Sequence, residues 1–312
     1  MSNLATLVRF KQYAGITGTS QDALVTALLP QVSGAIERYL RRTLETTTYK
    51  SWLDGSGSPI LRLNQYPILA IYYVAISSVT VGYIENTSSS VIRASVSFDG
   101  TNLSLTEISP TGTEKTTDLP VSTSKVMSTL KTAIEAVSGW ECALNSTDYD
   151  SEPTIFLRPM HGQDALSEST ADLVMADDPV SVKVVNEDLI ELVRSPTFPT
   201  FNPQAVTVPL ETERGFPSGT ANVFVWFKAG YSMPSDAVGE IPASDGTLPA
   251  GLALIVDQIL QDVLSSIKLN SNLQSESLGD YSYSLRASAT GAVASAIENR
   301  KRDLAQYRRV TI

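Results

Sequence analysis

One cysteine, Cys142, and one histidine, His161, stand in 312 residues. The single cysteine excludes an internal disulfide framework and any zinc site built on several cysteines. Cys142 has no basic neighbour in the sequence to lower its pKa, so it reads as a small buried apolar residue. His161, in RPMHGQD, would need a nucleophile and a carboxylate delivered in space to form a triad, and no G-x-S-x-G elbow occurs. Long apolar runs are also missing. The longest, Tyr66 to Ile76, is too short for a bilayer and contains Pro67. MSNLATLVRF lacks a basic stretch ahead of an apolar core, so synthesis in the cytoplasm without a secretory leader is expected.

Two further motifs fail on inspection. Asp148, Asp150 and Glu152 are spaced as in a calcium loop, but Pro153 and Pro159 occupy the places of its glycine and its last carboxylate. Gly55-x-Gly57 joins two strands rather than a strand and a helix, so it makes no phosphate cradle. The expectation is a protein that is not an enzyme and holds no cofactor or metal. A hydrolase working through His161 or Cys142 is the alternative to be tested against it.

Apolar residues make up 42% and charged residues 18% of the chain, which is globular rather than disordered composition. The net charge is −10, and it is unevenly placed. Between Trp140 and Ser195 there are twelve Asp or Glu against three Lys or Arg. The last sixteen residues carry Arg300, Lys301, Arg302, Arg308 and Arg309 against Glu298 and Asp303. An acidic whole argues against wrapping nucleic acid, which needs clustered cations. It suits solubility first, and it does not argue against a channel that nucleic acid must slide through without sticking.

Leu4, Leu7 and Val8 predict a short first helix ending near Ala14–Gly15. Thr19 and Asp22 have capping-box spacing ahead of a second helix carrying Leu24, Ala27, Leu28, Val32, Ala35, Ile36, Tyr39 and Leu40. Pro30 should kink or divide it. TTTYKSWLD, GSGS and ILRLN predict a hairpin, and ILAIYYVAI a buried strand. Further on, SVTVGYI, SVIRASVSFD, NLSLTEIS, ECALN, TIFLR and VSVKVV read as strands, with one helix in STSKVMSTLKTAIEAV. Prolines at 196, 199, 203, 209 and 217 mark an extended connection. ANVFVWFKAGY is then a strong strand. Pro249 opens a helix with a wide apolar face from Leu252 to Ile267, and a last helix begins near Thr290.

The order of these segments resembles the gp6-like head–tail connector, or adaptor, proteins of tailed bacteriophages. VRFKQYAGITGTSQDALVTALLPQVSGAIERYLRRTL is similar to their N-terminal helices, with Ile36, Glu37, Tyr39, Leu40 and Arg42 in the I-E-x-Y-L-x-R places. Trp52, Asp54, Gly55, Leu61, Leu63, Tyr66, Pro67 and Ile68 resemble the next pattern. Asn222, Val223, Val225, Ala229, Gly230 and Tyr231 resemble the A-G-Y strand, with Phe227 in place of a tyrosine. Ser275, Glu276, Gly279, Asp280, Tyr281 and Ser282 resemble the loop before the last helix.

The resemblance and the patterns together imply an α+β fold. A discontinuous, mainly helical connector domain with a β-hairpin is expected from residues 1–77 and 215–312. An inserted β-rich α+β domain is expected at 78–195, with 196–214 as the return connection. The family resemblance implies a structural subunit of the virion neck, forming a ring of about twelve copies. Its partners would be itself, the portal protein, a stopper or tail protein, and DNA passing through the lumen without sequence-specific binding; no membrane is implied. Arg300, Lys301, Arg302, Tyr307, Arg308 and Arg309 are the candidate contacts to the portal or a neighbouring subunit. Asp257 and Asp262 are the candidate lumen-facing residues. A tail-completion or podovirus-type tail adaptor, or a connector whose insert binds glycan, are the alternatives.

Overall fold

The computed structural model describes residues 2–193, 215–239, 242–272, 276–278, 281–283 and 289–308. In chain order it forms α1 (Leu7–Ala14), α2 (Asp22–Leu40), β1 (Thr47–Gly55), β2 (Ile60–Arg62), β3 (Ile68–Asn86), β4 (Arg93–Phe98), β5 (Asn102–Ile108), β6 (Glu114–Pro120), α3 (Met127–Glu135) and β7 (Trp140–Leu144). Next come β8 (Met160–Asp164), β9 (Ala171–Pro179), β10 (Val182–Val184), β11 (Leu189–Leu192) and β12 (Gly219–Ala229). Last are α4 (Ala250–Asn272), β13 (Glu276–Leu278), β14 (Tyr281–Tyr283), α5 (Ala289–Asn299) and α6 (Lys301–Leu304). The chain divides into two compact units. The first is Met1–Thr48, Leu63–Ala70 and Lys228–Ile312; the second is Tyr49–Arg62 and Ile71–Phe227.

The first unit gathers α1, α2, α4, α5 and α6. Thr6 caps α1 by accepting the N–H of Arg9 at 3.2 Å, and Gly15 closes it in the left-handed region at φ 64°. The capping box expected at Thr19 and Asp22 does not form. Gln21 is the N-cap, without a side-chain bond, and the carbonyl of Thr19 accepts the N–H of Asp22. α2 runs undivided through Pro30. Pro30 and Thr26, whose carbonyl loses its donor, both lie on the exposed face, where water can satisfy that carbonyl. Val25, Leu28, Val32 and Ile36 of α2 pack in one core with Leu252, Val256, Ile259 and Val263 of α4 and Val293 of α5. The stretch Ala250–Ile267 is long and apolar enough to cross a membrane, and half of it is buried inside this core.

In the second unit, β6-β5-β4-β8 form a four-stranded sheet. Alternation in β4 and β5 turns Val96, Phe98, Leu103 and Leu105 inward, against Met127, Leu130 and Ile134 of α3. A five-stranded sheet has the order β1-β12-β3-β7, with β9 also paired to β3. Phe224 of β12 is 1% exposed and lies 5.3 Å from the ring of Trp52, 5.9 Å from Phe156 and 6.2 Å from Tyr73, centroid to centroid. β10-β11-β2 make a smaller sheet.

Two parts of the expected fold class are corrected. The protein is β-rich, with 37% strand and 30% helix, and is not built around a mainly helical connector domain. The excess strand comes from β6, β8, β9 and β11, whose acidic, glycine and proline residues hide them from a reading based on propensity, and from the short pair β13 and β14 in the segment read as the loop before the last helix. The hairpin is absent too. β1 pairs with β12, whereas β2 pairs with β11. The turn between them is held by distant chain, since Gly57 N–H donates to the Phe216 carbonyl at 2.7 Å and Phe216 N–H to the Ser58 carbonyl at 2.8 Å. TIFLR, expected as a strand, gives a 3-10 turn at Thr154–Phe156, because Pro153 and Pro159 flank it. ILAIYYVAI and SVTVGYI join into the single 19-residue strand β3, so no element boundary falls at residue 77.

Candidate assembly surfaces

Three motif segments distant in sequence meet around one side chain. Arg41 ends α2 in the left-handed region at φ 56°, a conformation costly for a non-glycine residue. That turn leaves Arg41 exposed and brings Arg42 inside, 4% exposed. Arg42 Nη1 donates to the carbonyl of Tyr66 at 2.9 Å, and the guanidinium lies 3.6 Å from the centre of the Tyr66 ring and 5.7 Å from that of Tyr231. The flanking backbone locks together: Tyr231 N–H donates to Leu44 O at 2.7 Å and Gly230 N–H to Pro67 O at 3.0 Å. Glu37 Oε1 accepts the N–H of Leu44 at 2.9 Å, while Ile36 and Leu40 fill the core.

Arg42 Nε and Nη2 are buried without a hydrogen-bond partner, and Arg42 has no ion pair among the described residues. A buried cation left in this way costs on the order of several kcal/mol, so the arrangement needs a reason. The residue lines a groove of about 730 Å³ together with Arg38, Arg41, Gln31 and Gln65. Sequence periodicity gave no sign of this burial. The apolar stripe of α2 ends at Leu40, and the left-handed Arg41 resets the phase. The only signal was the arginine closing I-E-x-Y-L-x-R.

The C-terminal cations differ in how they are held. Arg300 Nη2 reaches Asp262 Oδ2 at 3.4 Å, and Lys301 Nζ reaches Glu298 Oε1 at 2.9 Å. The Lys301 carbonyl accepts from Tyr39 OH at 3.1 Å, and the Tyr307 carbonyl accepts from Tyr66 OH at 3.2 Å. Arg308 lies 5.5 Å from the centre of the Tyr39 ring. Arg302 is exposed and has no ion-pair partner among the described residues. Arg309 lies outside the described residues.

Of the two expected lumen-facing residues, Asp262 is partly exposed and paired with Arg300. Asp257 is buried at 2% exposure, with Oδ2 3.2 Å from Arg9 Nε and Oδ1 without a partner. Burial pushes its carboxyl pKa up, opposed by the Arg9 charge and hydrogen bond. The folded state then holds the proton more tightly than the unfolded chain. Stability from this group is full at low pH and falls as pH rises through the folded pKa. As pH rises, the urea midpoint of the wild type is expected to fall relative to that of Asp257→Asn, because the two proteins share every other titrating group. Urea titrations between about pH 4 and pH 7 check this.

His161 and Cys142 offer no assembled chemistry. His161 is exposed on β8, whereas Cys142 is buried in β7, and burial pushes its thiol up to about 12. Native protein at pH 8 is expected to react with a thiol reagent about a thousandfold more slowly than a free cysteine, with one thiol appearing on unfolding. Asp148 and Asp150 sit in the 3-10 turn Thr147–Ser151, and no metal-holding cluster occurs among the described residues.

Residues 3–137 match the model of the head completion protein family, HCP. No curated protein matches the chain, and no solved structure does either. The family match bears out the resemblance to phage head–tail connector or adaptor proteins over that segment. It supports a structural role in head completion and a place in the virion, among other head or tail proteins. It runs on past residue 77, through β6 and α3, into the segment expected as an insertion.

Proposed function

We propose that this chain is a ring subunit of the phage neck, joining the portal vertex of the DNA-filled head to the tail, and is not an enzyme. The observation that carries the reading is the head completion match over residues 3–137. The physical chemistry agrees with it. A ring needs each copy to offer one surface to a different surface of the next. A chain of net charge −10 suits a conduit through which DNA slides without being held. The charged C-terminal end is the proposed contact to the portal or a neighbouring copy, with Arg302 its most available cation.

Electron microscopy of the virion neck tests the reading, with density for this chain between portal and tail as the expected result. Density elsewhere in the particle would overturn it. The C-terminal contact is tested by Arg302→Glu, which is expected to leave folding intact and lower the yield of joined particles. Deleting residues 290–312 is the poorer test, because Val293, Ala296, Ile297 and Leu304 belong to the core.

A further inference from the structure

We propose that the groove at the C-terminal end of α2 is a socket for an acidic side chain, together with the peptide N–H beside it, of a second copy of this chain. The inference rests on the ring reading above and adds the contact that closes it. With Nη1 engaged by Tyr66, the two unpartnered nitrogens of Arg42 are Nε and Nη2. They form one edge of the guanidinium, and their parallel N–H bonds match the two oxygens of a carboxylate or a phosphate.

The same groove holds a second unmet group that decides between those anions. Gln65 Oε1 is buried without a donor. A peptide supplies an amide N–H beside its acidic side chain and so meets Gln65 and the arginine edge with two separate groups, whereas an inorganic phosphate would have to turn its remaining O–H to Gln65 while two other oxygens face the arginine. Arg38 and Arg41, exposed at the groove, outnumber the one carboxylate that lines it, Glu37, whose Oε1 accepts the Leu44 N–H, and add attraction at longer range.

Charge complementarity names the source as this chain itself. Asp148, Asp150, Glu152, Glu168, Asp172, Asp177, Asp178 and Glu187 are exposed and have no ion pair among the described residues. The protein therefore carries a surplus of exposed carboxylates on one segment and an unmatched arginine edge on another. A head-to-tail ring brings such unlike surfaces together.

The test is sedimentation velocity of the full chain over a wide concentration range, beside Arg42→Lys and Gln65→Met. Arg42→Lys keeps the charge but removes the paired donors. Read at a concentration of denaturant-free, folded protein, it is expected to weaken self-association at least tenfold, with some loss of stability because the Tyr66 contact also changes, and Gln65→Met to weaken association less. A photo-crosslinking residue at Gln31 is expected to capture residues 140–195 of another copy. If Arg42→Lys fails to fold, the wild-type arginine Nε–H resonances decide. The Arg42 signal is expected to move as association rises and to stay still when inorganic phosphate is added to the monomer. Undiminished association of folded Arg42→Lys, an unmoved Arg42 signal, or one that moves with phosphate alone would overturn the socket. A chain monomeric at every concentration would also overturn it, while the neck reading is judged separately by microscopy of virions.

Discussion

Gly230→Ala is expected to destabilise the protein by about 3 kcal/mol, enough to remove a large part of an ordinary domain's stability. Two independent costs combine. Gly230 has φ 112°, a conformation that L side chains rarely adopt. An added Cβ would also stand 2.6 Å from the carbonyl oxygen of Glu45 and 2.9 Å from that of Leu44. Both are backbone atoms and cannot swing aside as a side chain would. Shifting them would strain the Tyr231–Leu44 and Thr46–Tyr231 hydrogen bonds, at 2.7 and 2.9 Å. Gly100→Ala separates the two costs. It has φ 95° but open space around its Cβ position, so its loss in a urea titration measures backbone strain alone. Equal losses at the two positions would show that the close approach contributes nothing.

The other large effect is expected at Phe224→Ala, at about 3–5 kcal/mol. The ring is almost fully buried and lies among Trp52, Tyr73 and Phe156 in tilted and edge-on arrangements. Truncation removes its transfer energy and leaves a void that a strand flanked by two others cannot close. Phe224→Leu retains much of the volume and should cost less than half as much. Tryptophan fluorescence during guanidinium unfolding follows the change directly, since Trp52 touches the vacated site. A cost for Phe224→Ala below about 1 kcal/mol would mean that the aromatic cluster is loosely packed.

The helices were legible because their signals are local. Gly15 caps α1 as its sequence suggests, and the 3.6-residue stripe from Leu252 to Ile267 falls inside α4. The strands were legible only where one face is apolar, as in β4 and β5. β9 reads ADLVMADDP, and its acidic end hides a strand whose register on β3 runs from Ala75–Pro179 to Ile84–Ala171. Strand partners were less legible still. The GSGS turn promised a local hairpin, yet the partner of β1 lies more than a hundred and sixty residues away in β12. The candidate site was half legible for the same reason. The charged tail and the arginine of the α2 motif stand out as letters. The unpaired guanidinium edge exists only once Tyr66 and Tyr231 have been brought to it from distant parts of the chain.

The first unit's segmented construction has a consequence during synthesis. α2 leaves the ribosome with Val25, Leu28, Val32 and Ile36 uncovered, and the α4 residues that cover them lie more than two hundred positions downstream. At ordinary elongation rates that is a wait of about 10–40 s. Ile71–Phe227 is all translated within that interval, so the second unit can fold first while the opening helices remain an unsatisfied amphipathic pair. Nascent chains stalled before residue 250 should therefore be bound by chaperones or cut by protease within residues 7–40, and chains released after residue 304 should be protected there.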